Sequence, residues 1–132
     1  MLPLSFPTRW RLAGIILLFA VLGVAMAPEL WPWLSGGGTR LPNDKLMHGV
    51  TFAFLAIWYS GQYPRRSYWL LILGLFVFGA FIEVCQSFVT YRTAEAADLA
   101  ADALGVLVGI AIALAGLGGW SMRFESWISR RG

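Results

Sequence analysis

The sequence predicts an all-α integral membrane bundle of four transmembrane helices, with the N- and C-termini cytoplasmic. Three observations lead there. Hydrophobic residues make up 58% of the 132 residues and charged residues only 13%, too apolar for a soluble globular domain and too short for two domains. The apolar residues come in blocks of helical rather than strand length, each long enough to cross ~30 Å of hydrocarbon as a helix. The basic residues fall mainly in the segments between and beyond those blocks.

Leu12 to Pro28 carries no charge and predicts a first helix over about 10–28. With Arg9 and Arg11 before it and Ala25-Met26-Ala27 at its end it resembles a signal peptide. Pro28 directly after the small-x-small pattern disfavours cleavage, and the apolar run is long for a secretory signal, so the segment reads as a retained helix. Leu46 to Pro64 contains only His48 as a titrating interruption and predicts a helix over about 45–63. Ser67 to Tyr91, broken only by Glu83, predicts a helix over about 67–91. Ala103 to Met122 is uncharged and predicts a helix over about 96–119. A short interfacial helix is expected within 121–132, flanked by Trp120 and Trp127. Residues 1–132 read as a single domain with neither internal repeat nor linker.

Arg9, Arg11, Arg65, Arg66, Arg123, Arg130 and Arg131 fall on one side of such a bundle, against Arg40, Lys45 and Arg92 on the other. By the positive-inside rule the first group is cytoplasmic, and loops 28–45 and 91–97 face outward. The net charge of +3 is thus a topology signal, and nucleic acid is not expected as a partner. The single Cys85 excludes an internal disulfide. Gly105 and Gly109 have the spacing that lets helices approach closely, either within the chain or as the seam of a homodimer.

The polar residues inside the apolar blocks are few and ordered. Asp44, Lys45 and His48 lie at the outer end of the second helix, Glu83 and Gln86 near that of the third, and Asp98 and Asp102 at that of the fourth. Spacings of three or four residues place each group on one helix face. Ionisable side chains are costly in hydrocarbon, so several held at one depth mark a functional site. Turned inward, these faces make a polar pocket beside the N-termini of two helices, where unpaired N–H groups favour an anion.

Lys45 and Arg92 are expected to hold that anion, Glu83, His48 and Asp98 to handle protons as the catalytic set, and Gln86 and Asp102 to orient them, with Asp44 alongside. Plainer readings stand beside these. Asp44 caps the second helix, Asp98 complements the dipole of the fourth, Arg92 is a loop charge, and the deeper residues form a knot that only fixes the bundle. Glu29, Glu95, Glu125 and Arg40 read as solvated charges.

Asp44-Lys45-x-x-His48, then Glu83-x-x-Gln86, Arg92 and Asp98-x-x-x-Asp102-x-x-Gly105, resembles the signature of VanZ-like membrane proteins. The match spans residues 43 to about 116, with Asp102 where that family usually has Asn. The resemblance implies a small multi-pass protein of the bacterial inner membrane, in a family associated with resistance to the glycopeptide teicoplanin. It supplies no reaction.

Three classes of function stay open. One is an enzyme, or enzyme-like lipid binder, acting on an anionic phosphate- or acyl-bearing head group, such as a phospholipid or lipid-linked wall precursor at the outer leaflet. A second is a non-catalytic lipid- or drug-binding protein. A third is a small proton-coupled carrier, disfavoured by the lack of an inverted repeat. No cofactor is expected; a divalent metal among the carboxylates stays open, though their spacing is not diagnostic of one. A protease reading is weaker still, there being no His-Glu-x-x-His and no Ser or Cys with an evident base.

Overall fold

Large apolar side chains cover the outside of this protein: Phe19 is 70% exposed and Phe88 83%, with Leu46, Trp69, Phe81 and Leu104 also turned outward. In water so continuous an apolar surface would drive association, whereas lipid tails solvate it. The computed structural model describes residues 1–26, 43–88 and 96–132, with side chains from Lys45 onward in the middle stretch. Its elements are α1 (Pro7–Met26), α2 (Asn43–Ser60), α3 (Tyr68–Ser87, entered through a 3-10 turn at Arg65–Ser67), α4 (Ala96–Ile112, widening at Ala113–Leu117) and α5 (Trp120–Ser129). No strand occurs among the described residues.

Three of these helical stretches, not four, are long and apolar enough to cross a membrane: Pro7–Met26, Arg65–Ser87 and Ala96–Leu117. The exception is α2, whose 18 residues open with Asn43, Asp44 and Lys45 and carry His48 a turn later. Its place in the bundle explains how it tolerates His48. It is flanked by α4, α3 and α1, and buries His48, Phe52, Leu55 and Ala56 against protein rather than lipid.

The α2–α4 contact is the closest in the bundle because glycine permits it. A Cβ on Gly105 would collide with the backbone of Gly49, and one on Gly109 would lie 2.5 Å from the Ala53 carbonyl oxygen. The Gly105–Gly109 stripe is therefore filled by α2 of the same chain. Around it Leu55, Ala56, Leu75, Ile82, Val106 and Ile110 form the core.

The helices alternate in direction. Leu2 N–H donates to the Gln62 carbonyl (2.7 Å) and Gly119 N–H to the Ser60 carbonyl (3.1 Å). The start of α1 and the ends of α2 and α4 thus share one end of the bundle. At the other end Gln86 Nε2 donates to the Ala25 carbonyl (3.0 Å), joining the last turns of α1 and α3.

The first end is closed by aromatic rings. Trp10, Trp58 and Trp120 lie with centroids 5.4–5.8 Å apart, and Phe124 packs edge-on to Trp10 at 6.2 Å. Such pairs contribute ~0.5–1.5 kcal/mol each beyond their buried area. Gly119, at φ 72°, turns the chain from α4 into α5, a left-handed conformation that favours glycine. Arg123 Nη2 then donates to the carbonyls of Gly116 (2.7 Å) and Gly118 (3.2 Å) that this turn leaves exposed.

Glu125, expected to be a plain solvated charge, ties α5 to the start of α1. Its carboxylate accepts from Ser5 N–H (2.7 Å), Phe6 N–H (3.2 Å) and Trp10 Nε1–H (2.7 Å). A negative charge there also complements the N-terminal dipole of α1. Desolvation raises the carboxyl's pKa, but the hydrogen bonds together outweigh it and hold the group below the ordinary carboxylate value. A depressed folded-state pKa means the clamp's stabilisation is complete above the unfolded-state value and is lost as pH falls through the folded-state value. Thermal unfolding of detergent-solubilised protein should show it. Glu125→Gln is expected to unfold a few degrees below wild type at pH 7, and the difference should vanish once acid has protonated the wild-type carboxyl.

Candidate functional site

Helix spacing brings polar side chains from three helices into one buried cluster at the end of the bundle opposite the tryptophans. His48 of α2, Glu83 of α3, and Asp98 and Asp102 of α4 are all more than nine-tenths buried, Asp102 completely. Two are one turn apart on α4, so Asp98 and Asp102 present carboxylates on the same face. The close α2–α4 approach sets that face directly against His48.

Asp102 Oδ1 lies 2.8 Å from His48 Nδ1. An ionised carboxylate only accepts, so with Asp102 ionised Nδ1 carries the proton and Nε2 is turned the other way. Nε2 points toward Asp98, whose Oδ2 is 4.0 Å off, beyond hydrogen-bond reach. Glu83 closes the group: one ligating atom each from His48, Glu83 and Asp98 lie within 4.8 Å of one another. Lys45 stands at the mouth, half exposed, with Nζ 4.0 Å from Asp98 Oδ1. Gly79 of α3 makes room for this arrangement, since a Cβ there would come within 3.1 Å of Asp102 Oδ2.

Of the residues expected at the site, His48, Glu83, Asp98, Asp102 and Lys45 are brought together. Gln86 is not part of that group. It shares the buried side of α3 with Glu83, but its amide nitrogen is spent on the Ala25 carbonyl of α1. Arg92 and the Asp44 side chain lie outside the described residues.

Beside the cluster runs an apolar cleft of about 300 Å³ between α1, α2 and α3. Ala20, Val21, Val24 and Ala25 form one wall, and Met47, Thr51, Phe52 and Ile82 the other. His48 also lines it, so one imidazole faces both the polar cluster and the apolar slot. Sequence reasoning missed the cleft because α1 is apolar on every side, with no stripe to show which face would line a cavity. The small residues Ala20 and Ala25 were its faint trace.

A family model for VanZ/LLP1 matches residues 3–117, spanning every element of the cluster and the cleft. The chain belongs to the VanZ/LLP1 family. With its apolar, lipid-facing helices this VanZ/LLP1 chain is a membrane protein. Searches of curated proteins and of solved structures each find no match. The matched stretch ends at Leu117, so α5 and the Glu125 clamp lie beyond the part shared with the VanZ/LLP1 model.

The geometry also bears on Asp102, where the resemblance in sequence sets an expected Asn. What His48 requires there is an acceptor for Nδ1–H, which either side chain supplies. Asp102→Asn should accordingly keep thermal stability within about 1 kcal/mol of wild type. Asp102→Ala strands a buried imidazole donor and should cost roughly 1–3 kcal/mol. Nitrogen NMR of the labelled imidazole should show Nδ1 protonated in wild type and Asp102→Asn alike, and loss of that preference in Asp102→Ala.

Proposed function

We propose that this chain is a multi-pass protein of the bacterial inner membrane that binds an anionic lipid-linked head group at the outer leaflet and acts on it by acid–base chemistry. One observation supports this reading above others: His48 belongs at once to a buried carboxylate cluster and to an apolar cleft. A ligand with a polar head and a hydrocarbon tail fits both, the tail in the slot between α1 and α2 and the head against Nε2. Phospholipids and polyprenyl-linked wall precursors share that chemistry.

Each group then has a task. Asp102 fixes the tautomer and aim of His48, so that Nε2 exchanges a proton with the head group or an attacking water. Asp98 and Glu83, desolvated and close together, supply the second proton-handling group. Lys45 at the mouth, with Arg92, attracts the anion. Gln86 holds α1 against α3 and so sets the width of the cleft. The teicoplanin resistance associated with VanZ-like proteins would follow if the head group belongs to an envelope precursor.

Topology comes first among the tests. Reporter fusions after Gly61 or Gly132 should read cytoplasmic, and fusions near Gly37 or Thr93 periplasmic. A cytoplasmic reading at Thr93 would move the cluster to the inner leaflet and end the outer-leaflet proposal.

The ligand class is tested by native mass spectrometry of protein purified in mild detergent. A retained lipid phosphate or diphosphate is expected, and Thr51→Trp, which fills the cleft, should reduce its occupancy at least tenfold. In a complementing copy Glu83→Gln should abolish the envelope phenotype at wild-type membrane levels. A non-catalytic binder predicts the reverse, because neutralising a carboxylate beside an anion preserves or tightens binding. Full activity in Glu83→Gln would end the enzyme reading.

A further inference from the structure

The cluster has an electrostatic difficulty that the proposed ligand makes worse. Three carboxylates, Glu83, Asp98 and Asp102, share a space from which water is largely excluded, with Lys45 the one described ammonium beside them and itself half exposed. Burying net negative charge is expensive, and an anionic head group cannot approach it without compensation. A bound cation would offset that charge.

The donor geometry favours a cation. Bonds of ~2.0–2.3 Å place the ligands of one metal ion roughly 3–4.5 Å apart. The donor atoms of His48, Glu83 and Asp98 already lie within 4.8 Å of one another, so side-chain adjustment without movement of the helices would close them on one ion. The set is mixed, an imidazole nitrogen with two carboxylates, drawn from three separate helices. Its imidazole is held from behind: Asp102, outside the triad, takes Nδ1 at 2.8 Å and directs Nε2 toward Asp98. A carboxylate behind a ligating histidine is the usual means of fixing its tautomer and raising its basicity.

We propose that His48 Nε2, one oxygen of Glu83 and one oxygen of Asp98 bind a single divalent cation of the zinc or manganese class. Three protein ligands leave coordination positions open toward the mouth, where Lys45 stands. An imidazole in the set favours a transition metal over magnesium or calcium. With the cation in place the cluster is close to neutral and attracts, rather than repels, a phosphate oxygen. The site stands on the three side chains alone; only its use for a lipid head group rests on the function proposed above.

The experiment uses the full chain in detergent, stripped with chelator, then titrated with Zn²⁺, Mn²⁺, Mg²⁺ or Ca²⁺. Thermal unfolding and the metal retained after gel filtration are the readouts. Zn²⁺ or Mn²⁺ should raise the unfolding midpoint by several degrees and be retained at one ion per chain. Mg²⁺ and Ca²⁺ should do neither at the same concentration. Glu83→Gln and Asp98→Asn, nearly the size of the native side chains, should each weaken retention at least tenfold, whereas Glu125→Gln should retain metal as wild type does.

No shift and no retained metal in wild type would overturn the site. Retention undiminished in both Glu83→Gln and Asp98→Asn would place the ion elsewhere and overturn it equally. Lipid captured by chelator-stripped protein would refute the cation's use while leaving the lipid reading standing. Metal bound without lipid would do the opposite.

Discussion

The close contact of α2 with α4 is the constraint on which the rest of this protein depends. Backbone meets backbone at Gly49–Gly105 and at Ala53–Gly109 because neither glycine has a side chain to hold the helices apart. Between helices in lipid there is no hydrophobic drive of the kind that works in water, so packing at this distance supplies much of the association. It also sets the reach of every polar side chain nearby. Were α2 displaced by the width of a methyl group, the 2.8 Å contact between His48 and Asp102 would open, and with it the aim of the imidazole.

That contact in turn organises the charge. Asp102 is wholly buried, and its acceptor role toward Nδ1 turns Nε2 to the side where Asp98 and Glu83 stand. A buried network of this kind is poor evidence of stability, since apolar residues of equal volume would often hold the bundle better. Its place beside an apolar cleft is what the proposed function draws on.

The opposite end of the bundle is built on another principle. There the rings of Trp10, Trp58, Trp120 and Phe124 interlock, and the polar groups serve helix ends. Glu125 accepts from the amides ahead of α1, and Arg123 donates to the carbonyls after α4. These contacts make a firm base from which α1 extends toward the cleft. Along its length α1 is tied to the core by Tyr59, which donates to the Gly14 carbonyl (2.8 Å), and by Gln86, which donates to the Ala25 carbonyl.

By itself the sequence determined the helical class, the lipid-facing composition, the polar layer and the family, because each depends on residue type and spacing along one helix. Apolar blocks of spanning length admit no other fold in a membrane, and residues three or four apart share a face wherever the helix is placed. Hydropathy alone overestimated α2, since composition cannot register that neighbouring helices rather than lipid would shelter its polar first turns. What only the tertiary structure decided was which faces meet. It sent Gln86 to α1 and Glu83 to His48, although both lie on one side of α3, and it gave Glu125 a role that its exposed-looking sequence context concealed. It also opened the cleft along α1, whose uniform apolarity carries no mark of direction. Those outcomes depend on the rotation and separation of helices about one another, and these are set by side-chain volumes at contacts distant in the chain, which no spacing within a single helix records.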